Sequence, residues 1–247
     1  MRSMSTSLKR ATSLAGRLAL ACAGAAVVGV LLAASASASA PTNKGNVSKP
    51  AVPRVLRAPV EQWRLVESES GPVNYYTVLR DAERPFIRGA YQPPHKKAVF
   101  GFEVPEASRG RVRQLDWNWR AIKLPTQADE CNPKRGDSPA VLYVTWRRML
   151  RWYSLKYVWS ATRPPGTVCD RRRNAFVAQD TIVLQSGGPL GTWKHESIDL
   201  AREFRAHFED GDPHADIPEL IGLGVMTDGD QTKSESSGDY ADFVFKL

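Results

Sequence analysis

The sequence predicts the all-β class: one sandwich or barrel of antiparallel strands with a single amphipathic helix packed on it. Three observations lead there. From Gln62 onward apolar and polar residues alternate with period two. Gly, Pro and Asp clusters break that alternation about every ten residues, and the runs between them are rich in aromatic and β-branched side chains. Helical spacing is confined to one stretch near Leu200.

The N-terminus reads as an export signal. Arg2, Lys9, Arg10 and Arg17 precede an unbroken run of apolar and small residues from Leu18 to Ala34, followed by Ser-Ala alternation through Ala40. A charged segment, an apolar segment and a small-residue cleavage site make up a secretory signal. Cleavage after Ala38, in Ala36-Ser37-Ala38, suits a small-residue protease pocket, so residues 1–38 are expected to be removed. An uncleaved anchor is the alternative, and the apolar run is at the short end for spanning a bilayer. Cys22 does not mark a lipoprotein, because Ala19 stands where a lipobox has Leu. Residues 39–59, rich in Pro, Ser, Asn and Lys, are expected to form a flexible leader. Residues 60–247 are left as a single domain, enough for one sizeable core.

Removing the signal changes the charge. The formal +8 falls to 34 − 4 = 30 basic against 26 acidic residues, or +4. An excess that small argues against nucleic-acid binding. Arg171-Arg172-Arg173, the one dense basic run, reads as a solvated loop. No membrane insertion is expected once the signal is gone, and the location is periplasmic or secreted.

The early strands are Asn74–Leu79, Phe86–Tyr91 and Ala98–Val104. In the next, Leu115, Trp117, Trp119 and Ala121 share one face, while Asp116, Asn118 and Arg120 share the other. Two tryptophans two apart resemble a sugar-stacking platform, but beside Leu115 they belong to the core. The polar row is therefore the better candidate for a ligand surface. In Ala140–Trp146 both faces are apolar, which marks a central strand, with Tyr143 on the face opposite Leu142 and Val144. Arg147–Arg151 reads as a basic connection, Leu155–Ser160 as a strand and Ala175–Gln185 as a long one. In the final strand Ala241, Phe243, Phe245 and Leu247 form the apolar row, with Tyr240, Asp242 and Lys246 opposite.

The helix follows a cap at Ser197 or Asp199, with Leu200, Ala201, Phe204 and Phe208 on one face. Two acidic loops come after it. Asp210, Asp212, His214 and Asp216 fail the calcium-loop template, since Ile221 holds the position of the bidentate Glu and Pro213 intrudes. In Thr227-Asp228-Gly229-Asp230-Gln231-Thr232, hard oxygen ligands at alternate positions suit calcium, and Asp228 and Asp230 are the candidate ligands. The bland alternative is a hairpin turn whose Asp side chains bond their own backbone.

Cys131 and Cys169 lie in turn-rich sequence and have no metal or redox spacing. In an oxidising compartment such a pair forms a disulfide. Templates for common catalysis (Gly-x-Ser-x-Gly, His-Glu-x-x-His, the P-loop) do not occur, and the four histidines are scattered.

The ordered series Leu115-Asp-Trp-Asn-Trp, Lys134-Arg-Gly-Asp-Ser, Leu155-Lys-Tyr-Val-Trp-Ser, Gln185-Ser-Gly-Gly-Pro-Leu-Gly-Thr-Trp, Met226-Thr-Asp-Gly-Asp-Gln-Thr and Tyr240-Ala-Asp-Phe-Val-Phe is similar to a family of exported bacterial proteins, domain of unknown function 3047. The resemblance runs from about Trp63 to Leu247. It implies export and a jelly-roll-like antiparallel β-sandwich, and it implies no activity. Members of the family carry paired acids where this chain has Asp137-Ser138, a departure that weakens a carboxylate-pair role there.

Three functions are compatible with the sequence. The first is binding of a glycan or other cell-envelope polymer, with Asp116, Asn118, Arg120, Tyr143, Asp228 and Asp230 as candidate contacts. The second is hydrolysis of a polysaccharide by Asp116 with Asp228 or Asp230, which needs two carboxylates about 5 to 10 Å apart. The third is a structural envelope protein without a small ligand.

Overall fold

The computed structural model describes residues 54–66 and 73–247, so the expected signal lies outside the described residues. Among the described residues thirteen strands form two sheets, as a jelly-roll-like sandwich should. Their ranges are β1 Val55–Arg57, β2 Arg64–Val66, β3 Tyr76–Arg80, β4 Pro85–Tyr91, β5 Val99–Glu103, β6 Gln114–Lys123 and β7 Ala140–Arg148. The rest are β8 Arg151–Ser160, β9 Val168–Arg173, β10 Val177–Ser186, β11 Lys194–Asp199, β12 Glu219–Met226 and β13 Ser236–Lys246, with one helix, α1, at Leu200–Phe208.

The six-stranded sheet has the order β11-β6-β13-β4-β3, with β1 also paired to β13, and the seven-stranded sheet has the order β2-β5-β12-β7-β8-β10-β9. Ladders are antiparallel except β8 with β10. There the chain runs out to the edge as β9 and returns as β10 between β9 and β8.

The core lies between the sheets. Trp117 and Trp119 point inward from β6 and meet Tyr157 and Trp159 of β8, at centroid separations of 5.9 and 6.0 Å. Truncating a buried tryptophan of this kind costs about 3–5 kcal/mol. Asp199 caps α1 by accepting from the Arg202 backbone N–H, and Phe204 packs against Trp146 and Tyr153, closing one end of the sandwich. Cys131 and Cys169 are joined in a disulfide that ties the loop before β7 to edge strand β9.

Several local expectations are corrected. The arginine run is not a loop but the end of β9, an edge strand whose charges discourage further pairing. The basic connection shrinks to the two-residue turn Met149-Leu150. Val55–Arg57, inside the expected leader, pairs with β13. Tyr240 faces the core together with Phe243 and Phe245, because Asp242 adopts a positive φ of 56° and the β6 register slips between Ala241 and Val244. That bulge resets the alternation, so simple period two assigns Tyr240 to the wrong face.

Candidate functional site

The candidate residues separate onto the two sheets. Asp116, Asn118 and Arg120 lie on the outer face of the six-stranded sheet, where each is engaged by neighbours. Asp116 accepts from Ser197 and Gln114 and pairs with Lys246 at 3.0 Å. Burial raises its pKa, but those hydrogen bonds outweigh it and hold the carboxyl below its ordinary value. Asn118 donates to Asp242, and Arg120 both pairs with Asp239 at 2.7 Å and lies 4.3 Å above the Trp193 ring. The row is a closed network and leaves few polar atoms for a ligand.

Asp228 and Asp230 lie at the other end of the sandwich. The Asp228 carbonyl accepts from Ser236, whose neighbour Ser237 pairs with Lys123, seven residues along β6 from Asp116. At about 3.3 Å per residue that is roughly 20 Å, beyond the reach of a glycosidase carboxylate pair. A hydrolase built on Asp116 with Asp228 or Asp230 is therefore not what the fold assembles.

The fold instead brings Asp137 to Asp228 and Asp230. Oxygens of the three carboxylates lie within 4.8 Å of one another. Asp137 and Asp228 are buried, and Asp230 is partly so. Asp137 accepts from the backbone N–H groups of Gln231 and Thr232, at 3.3 and 2.6 Å, while Asp228 accepts from that of Ser138 at 2.9 Å. Burial pushes the Asp228 carboxyl up to about 7, with the Asp137 charge adding to the rise against a pull from Lys156. Burial and Asp137 raise Asp230 as well. Its Oδ1 is buried without a hydrogen-bond partner. The flanking hydroxyls face elsewhere: Thr227 bonds Pro139 and Tyr240, and Thr232 bonds Ser234. Three phenols pin the segment, Tyr75 on the Thr227 carbonyl, Tyr76 on the Thr227 N–H and Tyr240 on the Met226 carbonyl. Gly229 is required, because a Cβ there would meet the Ser234 carbonyl oxygen at 2.0 Å.

Alternation along β12 carries Gly222, Gly224 and Met226 to the outer face of the seven-stranded sheet, opposite core residues Leu223 and Val225. Along β7 it does the same for Val141, Tyr143 and Thr145. Met226, Val141, Val99, Val158 and Val183 make a second apolar cluster there, with Tyr143 packed against it. Beyond Tyr143 the face opens into a groove that crosses from β2 to β10. Gly222 and Gly224 lower its floor, since a side chain at either would run into β5, at the Phe102 carbonyl or Val99. Tyr143 and Trp152 supply aromatic surface, and Thr145, Ser154 and Gln179 supply hydroxyl and amide groups. None of the described lining residues is a carboxylate.

Of the residues singled out in the sequence, Tyr143 lines the groove, and Asp228 and Asp230 lie beyond Met226 on the continuation of β12. Sequence reasoning missed Trp152, Thr145, Ser154, Gln179 and the two glycines, and it discounted Asp137. The two apolar faces of β7 were the available signal that its outer side is covered or recessed. Nothing local in Gly136-Asp137-Ser138 marks a residue that meets Asp228.

Similarity to solved structures is remote. The xyloglucanase domain of a type three effector from Sinorhizobium fredii aligns at 10% identity over 76% of this chain and 95% of that one, with a TM-score of 0.41. A family 11 carbohydrate-binding module from Clostridium thermocellum aligns at 6% identity over 80% and 91%, with a TM-score of 0.35. A family GH12 endoglucanase from Trichoderma harzianum aligns at 9% over 77% and 92%, with a TM-score of 0.34. No curated protein matches the sequence. The profile described as protein of unknown function (DUF3047) matches residues 62–244, and the chain belongs to that family.

Proposed function

We propose that this protein binds an extended glycan, or a similarly polyhydroxylated envelope polymer, along the groove of the seven-stranded sheet. The groove itself carries the reading: an open trough across six strands, with aromatic rings beside hydroxyl and amide groups on a low glycine floor. Sugar rings present apolar faces and a rim of hydroxyls, which suits aromatic surface flanked by a few placed polar groups. The carboxylate-free lining favours binding over glycosidic hydrolysis, which needs two acids across the bond. The test is retention of the exported protein on a broad glycan panel, repeated with Tyr143→Ala. Retention that falls with the substitution supports the reading; no retention on any glycan defeats it.

A second reading, for a separate site, rests on the orphaned Asp230 Oδ1 and on three carboxylates sharing one small volume. Calcium takes oxygen ligands at 2.3–2.6 Å, so oxygens within 4.8 Å of one another can share one ion. Asp137, Asp228 and Asp230 would hold it, and its role would be to fix the loop beside the groove. Added calcium should raise the melting temperature, and Asp230→Ala should abolish the rise. A melting temperature indifferent to calcium removes the site.

A further inference from the structure

The hairpin between β7 and β8 turns on Met149-Leu150, which are 86% and 71% exposed. Met149 has a φ of +54°, a conformation that two-residue turns normally give to Gly or Asn. Neither packing nor turn geometry therefore calls for methionine here. A second tip stands beside the first: the Trp152 backbone N–H donates to the Phe176 carbonyl at 2.8 Å, and Phe176 is 63% exposed. The two tips stand side by side at one end of the sandwich and present three exposed apolar residues, the prong.

Arginines lie on the strands that carry these tips. Arg147 holds the Met149 carbonyl at 2.8 Å and lies 5.1 Å over Trp152. Arg151 lies 5.1 Å over Tyr153, with a buried Nε that has no hydrogen-bond partner. Arg171 is exposed on the neighbouring edge strand. None of these three meets a carboxylate among the described residues, whereas Arg148 and Arg173 are neutralised by Glu209 and Asp180.

We propose that this end of the sandwich docks on an anionic lipid surface. The three apolar side chains enter the interface, and Arg147, Arg151 and Arg171 meet lipid phosphates. A prong of three side chains is too small for a stable protein interface, which needs about 800 Å² per partner. A bilayer accepts such a prong, because its interface takes apolar tips while guanidiniums stay at the headgroups. This is surface association without a spanning segment, and among the described residues no helix is long and apolar enough to cross a membrane. Met149, Leu150, Phe176, Arg151 and Arg171 do not line the groove, although Arg147 lies over its Trp152.

The test uses the exported protein, its N-terminus established by mass spectrometry, sedimented with vesicles of phosphatidylethanolamine and phosphatidylglycerol or of phosphatidylcholine alone. Cosedimentation with the anionic vesicles should weaken with salt. It should drop about tenfold or more when Met149→Asp and Leu150→Asp are combined. It should drop about fivefold for Arg171→Ala. Glycan retention and melting temperature should not move, since these side chains lie outside the core and the groove. The proposal is overturned by an absence of binding to anionic vesicles, or by binding that the Asp variants leave unchanged. It is also overturned by a concentration-dependent dimer that those variants dissociate, which would make the prong a contact between copies.

Discussion

The carboxylate oxygens of Asp137 and Asp228 lie within 4.8 Å of each other, and both side chains are buried. The segment before β7 and the segment after β12 meet at one end of that antiparallel pair, and burial first, with the Asp137 charge adding to it, raises the Asp228 pKa. The folded pKa of about 7 stands above the ordinary 3.8, so the folded protein holds this proton more tightly than the unfolded chain. The associated stability is complete below about pH 4 and is lost as pH rises toward 7. Without calcium, the unfolding free energy should therefore decline across that window. Asp228→Asn should flatten the decline, and saturating calcium should reduce it by favouring the ionised form. Denaturant titrations at stepped pH measure all three.

Filling the groove should block binding without unfolding the protein. Thr145 is half-buried on the outer face of β7, so Thr145→Trp projects bulk into the trough while the core side of the strand is untouched. Glycan retention should fall by tenfold or more, on the order of 1.4 kcal/mol, with little change in melting temperature. Asp116→Asn, on the opposite sheet, should leave retention as it was.

Asp239 is wholly buried, and its two oxygens are held by Arg88 and Arg120 at 2.7 Å each. Removing the acid leaves two guanidiniums facing each other across β13. Asp239→Ala should destabilise by about 3–5 kcal/mol, and Asp239→Asn by less, measured by urea unfolding.

The Cys131–Cys169 bond closes a loop with a sequence separation of 38 residues. Breaking it with Cys131→Ser should cost about 2–4 kcal/mol by releasing the unfolded chain. Reductant should lower the wild-type midpoint and leave the variant's midpoint in place.

Much of the fold was legible in the sequence because it rests on short-range pattern. Period two put Trp117 and Trp119 inward and Asp116, Asn118 and Arg120 outward, and the structure agrees at each position. Helical spacing located α1, and one of the two proposed caps, Asp199, makes the bond. Where a single residue shifts the phase, as the positive φ of Asp242 does in β13, the pattern assigned Tyr240 to the wrong face.

The sites were less legible, since a groove is a property of neighbouring strands. Tyr143 and Thr145 of β7, Gly222 and Gly224 of β12 and Ser154 of β8 become one surface only through the sheet order β12-β7-β8, which joins strands distant in the chain. Asp137 reads as a turn residue until β7 and β12 pair and bring it to Asp228. The sequence by itself determined the strand class, the inward tryptophans, the helix and the acidic turn, because local alternation and turn chemistry encode them. Only the tertiary structure decided which polar residues meet. It sent the row at Asp116 to one sheet and Asp228 to the far end of the other, because strand order and register set those distances.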